Sequence, residues 1–197
     1  MRLHHLVLAL ATSLALSPVG QPAIADETYA AYQQGEPEAF SEVELVAAGR
    51  HLFSVASEEL ALVVQEAVRR WGEPNGYIVG EEASGAVLGG LRYGRGVLHI
   101  RTVGQSRIFW QGPSLGLDAG ADGARTMMLV YKAPTIEALH TRFVGLNGSA
   151  YLVGGFGLTA AMSDGMVVVP IRTGIGARLG VNVGYLKFTP EPTWNPF

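Results

Sequence analysis

The chain has 197 residues and a formal net charge of −3, with no basic excess of the kind that nucleic acid selects. Hydrophobic residues make up 48% and charged residues 16%, a globular composition whose stable elements are apolar and glycine-rich rather than solvated helices. Cysteine is absent, which excludes disulfides and thiol chemistry and leaves packing and sheet pairing to hold the fold.

The N-terminus reads as a leader. Arg2 is followed by an apolar stretch over 6–16, the breaker Pro18, and Ala23-Ile24-Ala25 ahead of the acidic Asp26 and Glu27. This is the layout of a secretory signal peptide cleaved after Ala25, and the apolar run is shorter than the roughly 20 residues a bilayer span needs. The remainder suffices for a single domain with a sizeable core. Residues 26–40 show no sustained period and predict an extended N-terminal arm.

Helical spacing governs 41–72. Val43, Val46 and Ala47 share a face behind Ser41 and Glu42, with Gly49 ending or weakening that first helix. In the second, Ser57 is a candidate N-cap, Glu58 and Glu59 suit the first-turn dipole, and Leu60, Val63, Val64, Ala67, Val68 and Trp71 form one apolar stripe. Gly72 stands past the end of that helix, where a left-handed residue belongs. The stripe predicts packing on a sheet.

After Pro74 glycine recurs every few residues, and short β-favouring runs lie between: 77–79, 87–93, 97–103, 107–111, 126–132, 150–161, 166–172 and 181–189. Asn75-Gly76, Asn147-Gly148 and Asp164-Gly165 are turn dipeptides, and the last predicts a hairpin. One inserted helix is expected at 134–143, where Ile136, Leu139, His140 and Phe143 fall on one face. The pattern predicts a mainly β fold: a small closed or nearly closed antiparallel barrel of about eight strands over 76–197, with N-terminal helices. The terminal Phe197 does not make this an outer-membrane barrel. The residues alternating with it are polar, and Pro190, Pro192 and Pro196 remove ladder donors.

The sequence carries little that reads as catalysis. His51, His99 and His140 have no metal-ligand spacing. Asp118 to Asp122 mimic part of a calcium loop, but Leu129 stands where its bidentate Glu is needed. Gly89-Gly90 with Gly94 and Gly96 lacks the helix and Lys of a phosphate loop. Glu81 and Glu82 are adjacent, so on a strand they point to opposite faces and do not converge. No cofactor or metal is expected.

The strings GYIVGEEASGAVLGG (76–90), FWQGPSLGLDAGADG (109–123), GSAYLVGGFG (148–157) and LGVNVGYLKFTPEPTWNPF (179–197) resemble the bacterial family of unknown function typified by envelope integrity protein A. The resemblance runs over nearly all of the chain beyond the leader. It implies a soluble periplasmic eight-stranded barrel that supports the Gram-negative envelope, without an established enzymatic activity, and it carries over no catalytic or ligand residue. A weaker likeness, in 127–130 and 144–157, connects the chain to SYLF-type lipid-binding domains. The functional expectation is a non-catalytic protein that holds an envelope lipid, glycan or protein partner in a groove or barrel mouth lined by Trp110, Tyr151, Gly155 and Tyr185. The alternatives are an envelope hydrolase using Glu81, Glu82, Asp118 or Asp122, and an outer-membrane-associated structural protein.

Overall fold

A computed structural model of the protein describes residues 38–53, 57–85, 90–113, 124–145, 151–173 and 185–195. The leader, the arm up to residue 37, Asp118, Asp122 and Asn147-Gly148 lie outside the described residues. Two helices, α1 (Glu42–Arg50) and α2 (Ser57–Trp71), precede ten strands: β1 (Gly76–Gly85), β2 (Leu91–Ile100), β3 (Gly104–Pro113), β4 (Ala124–Tyr131), β5 (Arg142–Gly145), β6 (Tyr151–Val153), β7 (Phe156–Leu158), β8 (Ala161–Ser163), β9 (Met166–Thr173) and β10 (Tyr185–Thr189).

All pairings are antiparallel, in the order β4-β1-β2-β3-β10-β5-β8-β9, and β9 pairs back onto β4 to close the ring. That is an eight-stranded barrel, as the strand count of the sequence predicted. The remaining pair, β6 and β7, extends it along β9. β7 and β8 hold one register against β9, since Leu158 faces Ile171 and Ala161 faces Val168. They form one interrupted strand. The break falls beside Val169 and Pro170, and proline has no N–H to give to a ladder.

Strand alternation sorts the side chains into two cores. Ile78, Leu98, Ile108, Met128, Val168, Leu186 and Phe188 point inward and fill the barrel. Met127, Leu129, Val169 and Ile171 point outward, where α1 and α2 cover them. Because β4 is buried on both faces it reads as an unbroken apolar run rather than an alternating one. The α2 stripe behaves as predicted: Leu60, Val63, Val64 and Ala67 are buried, and Gly72 ends the helix at φ +83° with its N–H donated to the Val68 carbonyl. Each fully buried Leu or Val there contributes about 1.5–3 kcal/mol.

Several local expectations need correction. The inward face of α1 is Leu45 and Gly49, and Val43 is exposed. Gly49 lies in the last turn of the helix, which ends at Arg50, and it also packs closely on α2, since a Cβ there would lie 2.7 Å from the Leu60 Cδ2. Phe40 is not part of a loose arm: its N–H donates to the Pro74 carbonyl, its ring meets Tyr77 edge-on, and Arg101 lies over it at 4.1 Å. The runs 87–93 and 97–103 belong largely to one strand, β2, which passes through Gly94 and Gly96 and turns at Arg101. The inserted helix is only a 3₁₀ turn at Glu137–Leu139, because Phe143 already lies in β5. Leu139 plugs that end of the barrel. Asn75 does not make a turn with Gly76 but clasps the plug, donating to the Ala133 carbonyl and accepting from its N–H.

The hairpin at Asp164-Gly165 forms as expected, with φ +47° and +80°. The run 150–161 is divided by a second hairpin at Gly154-Gly155, both at positive φ, which joins β6 to β7, one of the two arrangements its glycines allow, two strands or one bent strand.

Helix α1 is fixed by a capping box between Ser41 and Glu44, and Glu44 also accepts from Arg101 at 2.6 Å. The Arg101 hydrogen bond, followed by those from Ser41, pulls the Glu44 carboxyl down from 4.5 to about 2. A depressed carboxylate stabilises the fold above its unfolded value and loses that contribution as pH falls toward its folded value. The wild-type melting temperature should therefore fall between about pH 4.5 and about pH 2 partly through this group. Glu44→Gln should cost about 1 kcal/mol at pH 7 and flatten that acid slope, as thermal unfolding across pH would read.

Candidate functional site

The wall formed by β1, β2 and β3 has glycine at inward positions, and a large side chain occupies the space. A Cβ on Gly94 would stand 2.0 Å from the Trp110 Cε2, and one on Gly80 would stand 2.9 Å from its Cη2. The indole of Trp110, fully buried, therefore lies flush against bare backbone. Its Nε1–H donates to the Glu82 Oε2 at 2.7 Å. Glu82 also points inward, because it keeps the alternation of Ile78 and Gly80.

Arg172, at the end of β9, donates from Nη2 to the same oxygen at 3.0 Å, and Arg92 Nη1 lies 3.9 Å from Oε1. Gly112 lies beside Arg92 and allows β10 to approach closely, since a Cβ there would stand 2.4 Å from the Tyr185 carbonyl oxygen. Thr126 faces Arg172 across β4 and β9 on the inner side. The polar cluster thus sits at the end of the barrel opposite the Leu139 plug.

The outer side of the same wall carries a groove of about 420 Å³. Tyr93, Phe109, Gln111 and Arg95 border it, together with Pro192 to Trp194 of the C-terminal segment. After β10, Pro190 and Pro192 keep that segment out of any ladder, as the prolines of the sequence predicted. It is tied down by the Tyr93 hydroxyl, which donates to the Trp194 carbonyl at 3.0 Å, and by Lys187 Nζ, which donates to the Asn195 carbonyl at 3.2 Å. The Trp194 ring packs edge-on at 5.3 Å from Tyr93 and is 82% exposed. Gln111 is only 1% exposed, and its Nε2 finds no partner among the described residues. Glu81 stands exposed on the wall with Arg95 at 3.7 Å.

The four candidate ligand residues do not converge. Trp110 points into the barrel and lines the groove only from its inner side, behind Gly94, whereas Tyr185 alternates with the inward Leu186 and points out. Gly155 occupies the β6–β7 turn at φ +81°, and its neighbour Gly154 abuts Glu59 of α2. Tyr151 lies in β6, a strand outside the ring. The acids behave as the sequence indicated, Glu81 outward and Glu82 inward, on opposite sides of one wall. Sequence reading missed Tyr93, Phe109 and Trp194, which only the return of the tail brings together. It also missed Arg92 and Arg172, which alternation would place inside once strand register is known. Among the described residues no cluster of His, Asp or Glu could hold a metal ion.

Fold and site together define a small, closed, helix-covered antiparallel barrel with a packed interior and an aromatic groove on its outer wall. Residues 38–197 match the family of envelope integrity protein A, and the chain belongs to that family. A crystal structure described as that of a beta-barrel-like, uncharacterized protein from Brucella abortus is 50% identical to it, covering 82% of this chain and 100% of that one, with a TM-score of 0.77. No curated protein matches the chain. Membership associates the protein with the cell envelope.

The fit of Trp110 against Gly94 sets a measurable constraint. Gly94→Ala should cost about 1–3 kcal/mol by overpacking. Because Trp110→Phe removes the atoms nearest that methyl, the double variant should be less destabilised than the sum of the singles by about 1 kcal/mol, measured by denaturant unfolding of all four proteins.

Proposed function

We propose that the protein is exported, loses its leader after Ala25, and works in the periplasm as a non-catalytic binding protein that supports the envelope. The groove on the outer wall carries this reading. It is open, walled by the aromatic rings of Tyr93, Phe109 and Trp194, and supplied with an unpartnered Gln111 amide and the charged Arg95 and Glu81. Apolar faces flanked by a few convergent polar groups are the composition of a ligand site, and aromatic faces beside hydrogen-bonding side chains suit an envelope glycan, whose sugar rings have apolar faces and hydroxyl edges.

The distribution of side chains supports a water-surrounded barrel. The interior holds Trp110, Phe143 and Phe188, while Glu81, Arg95, Arg107 and Arg142 face outward and are exposed, the reverse of a membrane-spanning barrel with a polar lumen and an apolar belt. No helix among the described residues is long and apolar enough to cross a membrane.

Titrating the periplasmic protein, purified without detergent, with soluble cell-wall glycan fragments should shift and quench the fluorescence of Trp194. Trp194→Ala and Gln111→Leu should weaken binding at least about tenfold, each by the roughly 1.4 kcal/mol or more that one buried aromatic or hydrogen-bonding contact supplies. Absence of glycan binding, together with full envelope complementation by a folded Tyr93→Ala/Trp194→Ala variant, would remove the groove from the function.

A further inference from the structure

Arg107 on β3, Lys187 on β10 and Arg142 on β5 alternate with the inward residues Ile108, Leu186 and Phe143, so all three project from the outer wall. With Arg95 of β2 they make four outward cations, while β2, β3, β10, β5 and β8 contain no acid. The acids that flank this wall are Glu81 opposite Arg95, Asp164 in the β8–β9 turn and Glu191 in the tail. The helical side has the opposite balance, with Glu42, Glu44, Glu58, Glu59 and Glu66 against Arg50, Arg69 and Arg70. Among the described residues no acid forms an ion pair with Arg107 or Arg142. Lys187 and Arg142 stand directly opposite each other across β10 and β5. Like charges so placed repel and cost stability, and an anion brought from outside would reward the arrangement. Apolar side chains stand among these charges. Val144 is 60% exposed and pairs with Tyr185 on one side and on the other with Met162, which is 41% exposed. The exposed Trp194 ring projects beside them from the segment that Lys187 and Tyr93 hold down.

We propose that this wall is a peripheral docking face for an anionic phospholipid bilayer, with Arg107, Arg142 and Lys187 against the headgroup phosphates and Val144, Met162 and Trp194 entering the interfacial layer. Charge alone would suit any polyanion. The exposed apolar side chains between the cations select a bilayer, whose surface offers phosphate and then acyl chain at successive depths. Tryptophan suits that boundary because its ring is apolar and its N–H polar. The contact lies on the surface and does not span it, in keeping with a barrel whose apolar side chains fill its interior. The inference goes beyond the groove reading and stands without it, because Arg107, Arg142, Lys187, Val144 and Met162 do not line the groove.

The test is co-sedimentation of the exported protein, purified without detergent, with vesicles of phosphatidylcholine alone or mixed equally with phosphatidylglycerol. The protein should pellet with the mixed vesicles and not with the neutral ones, and sodium chloride should weaken the binding as the screening length shortens. Brominated acyl chains in the mixed vesicles should quench the tryptophan emission, and Trp194→Phe should remove that quenching. Arg107→Glu/Arg142→Glu should lower the vesicle affinity at least about tenfold. Arg142→Glu alone turns two opposed like charges into an opposite pair, so it should melt no lower than wild type and still bind more weakly. Val144→Ser/Met162→Ser leaves the charge unchanged and should also weaken vesicle binding. Absence of binding, equal binding to both kinds of vesicle, or binding that Arg107→Glu/Arg142→Glu retains would overturn the proposal. Soluble polyphosphate bound as tightly as vesicles, with no quenching by brominated chains, would overturn it in favour of a free polyanion.

Discussion

The rest of the barrel depends on one accommodation: a tryptophan ring laid against backbone that carries no side chains. At Gly94 and Gly80 any Cβ would overlap the Trp110 indole, and at Gly80 and Gly96 it would also meet the facing strand, at 2.2 Å from the Arg95 carbonyl and 2.4 Å from the Val79 carbonyl. An eight-stranded barrel has an interior just wide enough to be filled by side chains. Here β1 and β2 contribute bare backbone over part of their length, and β3 supplies the filling. The Trp110 N–H then decides where charge can be buried. It gives Glu82 a donor that the apolar core lacks, and Glu82 in turn gives Arg172 and Arg92 a reason to point inward.

The opposite side of the barrel solves a different problem. β4 and β9 are apolar on both faces, so closing the ring satisfies their backbone but leaves Met127, Leu129, Val169 and Ile171 to be covered from outside. α2 supplies the cover with a stripe of matching spacing, and α1 presses against it at Gly49. The helices are therefore part of the barrel's stability rather than an appendage, and Arg101 joins them to the β2–β3 turn through Glu44 and the Phe40 ring. Arg125 adds a second tie to the Leu52 carbonyl.

Much of this was legible in the residues. The strand count followed from glycine spacing, the stripe of α2 from a 3.6-residue period, and the Asp164-Gly165 hairpin from a dipeptide that tolerates two positive φ angles. What was not legible depended on long-range pairing. Gly154-Gly155 left two strands and one bent strand equally open, because its flanks are three-residue strands, too short to show alternation. The face of α1 was misread because only tertiary packing shows that Leu45 and Gly49, rather than Val43, turn inward. The Glu82–Trp110 bond links residues 28 positions apart, and Glu82 to Arg172 spans 90, so no local pattern announces either. Period-two alternation alone would have placed Glu82, Arg92 and Arg172 inside, given the register.

The result is a barrel with two unlike ends and a wall that serves both sides. One end is stoppered by Leu139 and Phe143 and clasped by Asn75, so no ligand chemistry is placed there. The other gathers the ionic cluster at the strand ends that lead into residues 86–89, 114–123 and 174–184. Between the inner cluster and the outer groove stands a single layer of backbone. Because Gly94 has no side chain, inward residues such as Glu82 and Trp110 form the floor of the groove on its other side. A change in how Trp110 packs is thereby felt both by the carboxylate that positions Arg172 and by the surface on which Tyr93 and Trp194 stand. Packed interiors are stiff rather than fluid, so such a partition transmits displacement instead of absorbing it.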